Sequence, residues 1–304
     1  MKKLTFVVIV AVLVSFAYGQ GVEDPFGNVA KREALKMKID NMRAEIKAQG
    51  HTFTVDYNPA MQFPLEQLCN FRPELAPAKR IDDDAVKFLQ GKPSKTPKPT
   101  PTPDGGGDSY IADYTSIKNQ GNCGSCWAFS TAGMFESVLL KQGINVNLSE
   151  QWLVSCNTDG WGCNGGWFAD SYYRNPGAVL ENCFRYKAND IPCKDTCPYV
   201  YIATGSGSAG NVSGAQGAIQ NWGGVSCAVT ATSYMQAYSG GVFSYDTNAS
   251  VNHAVVLVGW DDSLGSSGAW RMKNSWGSGW GEGGMMWIEY GASKIGYGGN
   301  YLKY

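Results

Sequence analysis

The chain has 304 residues, a formal net charge of -1, 43% hydrophobic residues and 17% charged residues. That balance argues against a nucleic-acid-binding protein, which presents a basic face, while the apolar fraction suffices for a globular core. The length corresponds to about two domains, and nine cysteines, an odd number, imply disulfides plus at least one free thiol in an oxidising compartment. The opening stretch, MKKLTFVVIVAVLVSFAYGQ, settles the expected compartment. Lys2 and Lys3 precede an apolar run from Leu4 to Ala17, with small residues near Gly19. This is the pattern of a secretory signal peptide, and the run is shorter than the roughly 20 apolar residues of a spanning helix. Residues 1–19 are therefore expected to be removed, leaving an exported, soluble chain with no membrane partner, in which disulfides are permitted.

Residues 20–90 read first as helix. In EALKMKIDNMRAEIKAQG, Leu35, Ile39, Met42 and Ile46 fall at helical spacing, and Gly50 marks a stop. HTFTVDYNPAMQFPLEQLCNF, which follows, reads as more extended and carries Cys69. Residues 91–107, GKPSKTPKPTPTPDGGG, are a linker whose composition cannot bury a core. The chain thus divides near residue 100, and a second unit runs from 108 to 304.

That unit is helical first and β second, an α+β order. WAFSTAGMFESVLLKQG, after Cys126, puts Ala128, Ala132, Phe135 and Leu139 on one helix face. Lys141 and Gly143 suit its C-terminus. LSEQ reads as a helix cap followed by a buried face. Beyond about residue 225, VSCAVTA, HAVVLVGW, AWRMKNSW and GMMWIEYG read as short strands between Gly-rich turns.

The chemistry concentrates in QGNCGSCWAFS, Gln120 to Ser130. Its Cys-x-x-Cys, Cys123 and Cys126, admits three readings. A zinc site needs a second cysteine pair or spaced histidines, yet the chain has two histidines, His51 and His253, far apart. A redox pair belongs in a βαβ unit, and no such alternation follows. The third reading separates the two sulfurs. Cys126 opens the helix, whose N-terminus favours a thiolate and lowers the thiol pKa. His253, the only histidine beyond the linker, is then the base by elimination. Asn274, in KNSWG, can orient the imidazole without adding charge. Gln120 and the Cys126 backbone N–H can receive a developing oxyanion.

QGNCGSCWAFS, LSEQWLVSC, GCNGGW, NHAVVLVGW and NSWGSGWGEGG, in this order, resemble the papain family of cysteine peptidases over about residues 108–304. The resemblance implies a papain-like two-lobe fold, a helical lobe followed by an antiparallel β-barrel-like lobe, with the active-site cleft between them. It assigns Cys126 as nucleophile, His253 as general base and acid, Asn274 as orienter and Gln120 as oxyanion donor. Trp276 would shield the Asn–His contact. Gly165 and Gly166 would pair with substrate backbone, where a side chain would block approach. Trp167, Phe168, Ala228 and Ala254 would line the neighbouring specificity pocket. The family's pairing joins Cys123 to Cys163 and Cys156 to Cys193, which leaves Cys183 and Cys197 for a third bridge. Cys227 is expected to be a buried free thiol.

No metal or organic cofactor is implied. The expected partners are protein or peptide substrates and the chain's own residues 20–90, acting as an inhibitory propeptide. The expected state is a monomer, secreted or sent to a lysosome or vacuole. The activity expected is that of an endopeptidase; an aminopeptidase variant and a non-catalytic binding protein on the same fold are the alternatives. Asn147, Asn211 and Asn248 stand in glycosylation sequons.

Overall fold

Residues 29–76 and 109–304 are described here from a computed structural model. The expected signal peptide and linker, and the ends of the 20–90 segment, lie outside the described residues.

Helix α1, Val29–Ala48, buries Ile39, Met42 and Ile46, with Leu35 half-buried, as the periodicity predicts. Gly50, at φ +75°, turns the chain after it, a conformation that costs glycine little. The next stretch is less extended than its composition suggests. Only Thr54–Val55 forms a strand, β1; a 3₁₀ turn spans Pro59–Gln62, and a single helical turn, α2, spans Leu65–Leu68. Asn58 caps the 3₁₀ turn by accepting from Ala60 N–H at 3.1 Å, and Pro59 fits its first position, where no N–H is needed.

The second unit opens with β2, Ser109–Ile111. Three helices follow: α3 Cys126–Lys141, α4 Glu150–Cys156 and α5 Asp170–Arg174. Ser149 caps α4, its Oγ accepting from Trp152 N–H at 3.0 Å. Then come β3 Gly205–Ser208, α6 Val212–Trp222, β4 Val225–Val229 and α7 Ser233–Gln236. The chain ends with β5 Tyr238–Gly240, β6 Val242–Phe243, β7 His253–Asp261, β8 Ala269–Lys273, β9 Met285–Glu289 and β10 Tyr297–Lys303.

Eight strands form one sheet in the order β3-β10-β4-β7-β8-β9-β6, with β2 added on β7. The path has two ends, so it does not close into a barrel. It is antiparallel except for the β6–β9 pair, which is parallel, so the lobe is mixed at that edge. The remaining strand pair is β1 with β5, which binds the N-terminal segment to the sheet lobe.

Strand β7 divides two cores. Val255 and Leu257 belong to the core of the sheet lobe, and Ala254, Val256 and Val258 to that of the helical lobe. The period-2 alternation of a strand therefore feeds both lobes, which is why HAVVLVGW is apolar without interruption. Helix α3 is likewise buried on every side from Cys126 to Leu139, rather than on the one face its pattern marks. It packs between α4 and strands β4, β7 and β10, so nothing is left for solvent. Ser130 Oγ ties it to β7 by donating to the Val255 carbonyl at 2.8 Å. The consequence is positional: the first residue of α3 is Cys126 and the first of β7 is His253, at the junction of the lobes.

Three disulfides cross-link the helical lobe: Cys123–Cys163, Cys156–Cys193 and Cys183–Cys197. Cys69, Cys126 and Cys227 are free and buried.

Candidate active site

His253 is fully buried, and its Nε2 lies 2.8 Å from Asn274 Oδ1. The orientation of that amide is fixed, because Oδ1 also accepts from the Ser275 backbone N–H at 2.8 Å. Nε2 must therefore carry the proton, and Nδ1 presents a bare lone pair in the neutral ring. Nδ1 makes no hydrogen bond of its own. Trp276 covers the imidazole, ring centroids 4.6 Å apart at 30°, and keeps water from the His–Asn contact.

Gln120, also fully buried, sits opposite. Ser275 Oγ donates to its Oε1 at 2.7 Å, and Gln120 N–H donates to the Ser275 carbonyl at 2.9 Å. The amide is thereby turned so that Nε2 points out, donating to Cys123 O at 2.8 Å and to Leu68 O at 3.0 Å. Ser275 thus orients both Gln120 and Asn274. The sequence reading passed over it, although it stands between Asn274 and Trp276 in the same motif.

The Leu68 carbonyl belongs to the N-terminal segment, which runs straight across this site. Asn70 O accepts from Gly166 N–H at 3.2 Å, Arg72 N–H donates to Gly166 O at 3.0 Å, and Phe71 N–H donates to Asn252 O at 2.9 Å, making a short parallel pairing. Gly165 and Gly166 are needed for different reasons. A Cβ at Gly165 (φ +110°) would stand 2.3 Å from the Asn70 carbonyl, whereas one at Gly166 would meet the Trp127 ring at 2.9 Å. Phe71 fills a pocket against Trp167 and Phe168, with centroids 4.8 and 4.7 Å away. Ala228 and Ala254, paired across β4 and β7, belong to the same apolar cluster, and Tyr297 pairs with Ala228 beside them.

Burial reverses the electrostatics expected of a helix N-terminus. It pushes the Cys126 thiol up to about 11, although the N–H groups of Ala254, Asn70, Trp127 and Cys126 itself favour the thiolate. It also lowers His253 to about 4, against the Asn274 side chain and the Leu68 carbonyl, which favour the cation. Under the segment, burial therefore favours the neutral thiol and the neutral imidazole. The lowered thiol pKa expected from the helix dipole does not hold in this closed form, because desolvation is the larger effect.

A buried cysteine at a helix start, a histidine with one ring nitrogen free, and the amides of Asn274 and Gln120 are thus held in one region of an α+β fold, under the N-terminal segment. The chain belongs to the papain family of cysteine proteases, whose family model matches residues 108–300. It is 40% identical over 186 residues to digestive cysteine proteinase 2 of the lobster Homarus americanus, covering 57% of this chain and 57% of that one. It is 28% identical over 282 residues to ananain of Ananas comosus, covering 88% and 78%. Among solved structures, digestive procathepsin L 3 from the larval midgut of Tenebrio molitor superimposes with a TM-score of 0.71 at 27% identity, covering 90% of each chain. A recombinant stem bromelain precursor gives a TM-score of 0.67 at 25% identity, covering 88% and 89%. The chain spans just over half the length of the lobster proteinase.

Proposed function

We propose that the chain is the precursor of a cysteine endopeptidase, and that the site above is its catalytic centre with residues 29–76 acting as the inhibitor. The observation that carries this is the placement of the Leu68 carbonyl on Gln120 Nε2 at 3.0 Å, where a substrate carbonyl would lie beside the residues read as nucleophile and base. An amide donor on a peptide carbonyl, with a cysteine and a base beside it, is what acyl transfer requires. With the segment gone, the Cys126 thiolate attacks the substrate carbonyl. The oxyanion sits between Gln120 Nε2 and the Cys126 N–H, and His253 protonates the leaving amine. Water activated by His253 then releases the acyl group. Asn274 and Trp276 hold and shield the ring. Gly165 and Gly166 bind substrate backbone, and Trp167, Phe168, Ala228 and Ala254 form the side-chain pocket.

In the same reading, residues 1–19 are the signal peptide, 20–90 the propeptide, 91–107 the linker that is cut, and 108–304 a monomeric peptidase that is secreted or delivered to a lysosome or vacuole. Disulfides in the helical lobe support passage through the secretory pathway.

The test is chemical. An epoxysuccinyl peptide, which alkylates activated thiolates, is added in mildly acidic, reducing buffer, and the labelled residue is located by mass spectrometry. Label is expected on Cys126 alone, only after the segment is shed, and lost in His253→Ala. An unlabelled Cys126 in the shed form would return the non-catalytic binding reading to the front. A second expectation concerns the segment. A peptide of residues 29–76 added in trans should inhibit the mature unit, and Phe71→Ala should weaken it by roughly 30-fold or more, since burying a phenylalanine contributes about 2–3 kcal/mol. Inhibition constants measured side by side decide this; equal values would remove Phe71 as an anchor.

A further inference from the structure

Gln120 and Cys126, which carry the two oxyanion donors, stand six positions apart, and one hydroxyl from outside their motif joins the ends of the loop between them. Tyr186 lies between the bridged Cys183 and Cys193. Its Oη donates to the Gln120 carbonyl at 2.9 Å and stands 2.6 Å from Ser125 Oγ. A carbonyl only accepts, so the single phenol proton goes to Gln120, and Ser125 must donate to the phenol oxygen. Burial raises the Tyr186 pKa, which keeps that proton in place. Ser125 precedes Cys126, so the peptide unit that carries the Cys126 N–H begins at its carbonyl carbon. Gln120 and Ser125 are both fully buried. The Cys123–Cys163 bridge and the Gly124 N–H on the Cys163 carbonyl at 2.9 Å hold the middle of the loop. Its two ends meet at Tyr186. Gln120 is also held from the other side, its N–H donating to the Ser275 carbonyl at 2.9 Å. Tyr186 is itself fixed: its N–H donates to Glu181 Oε1 at 2.9 Å, and Phe129 of α3 meets its ring edge-on, centroids 4.8 Å apart at 87°.

We propose that Tyr186 is a positioning residue for the oxyanion: its hydroxyl holds the Gln120 amide and the Cys126 N–H at the separation that a tetrahedral intermediate requires. This rests on the reading of Cys126 as nucleophile and Gln120 as donor. Donors that are already in place stabilise developing charge without having to reorganise during the reaction. The contribution of the hydroxyl is therefore realised only once negative charge sits on the substrate oxygen. Forming the thiolate is a separate matter. It depends on Cys126, His253 and Asn274, whereas the hydrogen bonds of Tyr186 go to Gln120, Ser125 and Glu181. Loss of the hydroxyl should thus split two properties that a general loosening of the site would lower together: oxyanion binding falls, and thiolate reactivity does not.

The full precursor is made as wild type and as Tyr186→Phe, which keeps the ring against Phe129. Each is cut in the linker by an added protease, freed of its segment in acid and cleared of reductant. Two probes are then compared. With a peptide aldehyde, the Cys126 sulfur bonds to the carbonyl carbon and the thiol proton ends on the former carbonyl oxygen, which lies between the two donors. With a dipyridyl disulfide, the Cys126 thiolate attacks one sulfur and one pyridine thiolate leaves, so no oxyanion forms. Tyr186→Phe should weaken aldehyde binding about tenfold and lower kcat/KM on a peptide by about as much, short of the hundredfold or more lost with a donor itself. The rate with the dipyridyl disulfide, and its pH profile, should stay within about twofold of wild type. Ser125→Ala opens the bridge at its other end and should show the same split, so it decides the matter if the phenylalanine variant fails to fold. Aldehyde affinity equal to wild type in the variants would overturn the assignment. So would a parallel fall with both probes, the mark of a merely structural role. A wild-type unit inert to both probes would overturn it together with the peptidase reading, an outcome distinct from the other two.

Discussion

Replacing Cys126 by serine is expected to lower kcat/KM of the matured unit by at least about 10⁴-fold, and His253→Ala to do as much. The reason lies in what the site can and cannot ionise. His253 presents Nδ1 without a competing donor, and Asn274 fixes the proton on Nε2, so the ring is built to accept one proton. A thiol gives up its proton to such a base once solvent and the helix N-terminus stabilise the anion. A serine hydroxyl is too weak an acid to do so in a site with no further activating charge. Because the two side chains act as a unit, the Cys126→Ser/His253→Ala double variant should be no slower than either single one, whereas independent contributions would multiply. Steady-state kinetics on a peptide substrate, with circular dichroism to show that the fold is intact, checks both statements. A Cys126→Ser enzyme within tenfold of wild type would end the nucleophile assignment.

Much of this was legible in the sequence, and the failures share one cause. The motif around Cys126 places a cysteine at a helix start, and KNSWG places an amide after the histidine strand; both are local relations that a linear reading captures. Helix α3 shows the limit. Its apolar pattern marks one face, yet the polar Ser130, Thr131 and Glu136 are buried too, bonded to Val255, Ala169 and Leu148, whose positions only the tertiary fold determines. Helix α6 went unseen because VSGAQGAIQNW contains two glycines and its buried stripe, Ala215, Ala218 and Ile219, is mostly alanine; Asn211 starts it by accepting from Gly214 N–H at 2.8 Å. The path of residues 65–72 over the cleft was not readable from composition, since its anchors, Gly166, Gln120 and Asn252, lie far along the chain. The direction of the Cys126 shift followed from that same omission: the helix N-terminus was visible in the sequence, but the lid that desolvates it was not.

Lys118→Met is expected to destabilise the fold by about 3–5 kcal/mol at neutral pH, the cost of leaving buried carboxylates without their counter-ion. Lys118 Nζ donates at 2.6 Å to Glu136 on α3 and at 2.6 Å to Glu150 on α4, and at 3.1 Å to the Leu148 carbonyl. The side chains of Glu136 and Glu150 are 0% and 2% exposed. Glu136 also accepts from Leu148 N–H at 2.7 Å and from Thr115 Oγ1 at 2.5 Å, and Lys273 Nζ reaches Thr115 Oγ1 at 3.0 Å. The cluster therefore ties α3, α4, the strand carrying Lys273 and the chain before Cys126 to one ammonium. Burial opposes that charge on Lys118, but the two carboxylates outweigh it and hold its pKa above the ordinary value. Burial raises the Glu150 carboxyl above its usual 4.5, with Lys118 opposing and Glu136 adding to the rise. A carboxyl raised in the folded state binds its proton more tightly there than in the unfolded chain. Its contribution to stability is thus full below about 4.5 and declines as pH climbs through the folded value. Glu150→Gln removes the titration and should flatten this part of the stability profile, while Lys118→Met should lose less at pH 4.5 than at pH 7. Urea melts of the two variants at both pH values, in a Cys126→Ser background that cannot digest itself, measure each effect. A loss below about 1 kcal/mol at pH 7 for Lys118→Met would mean that water or Lys273 already neutralises the pair.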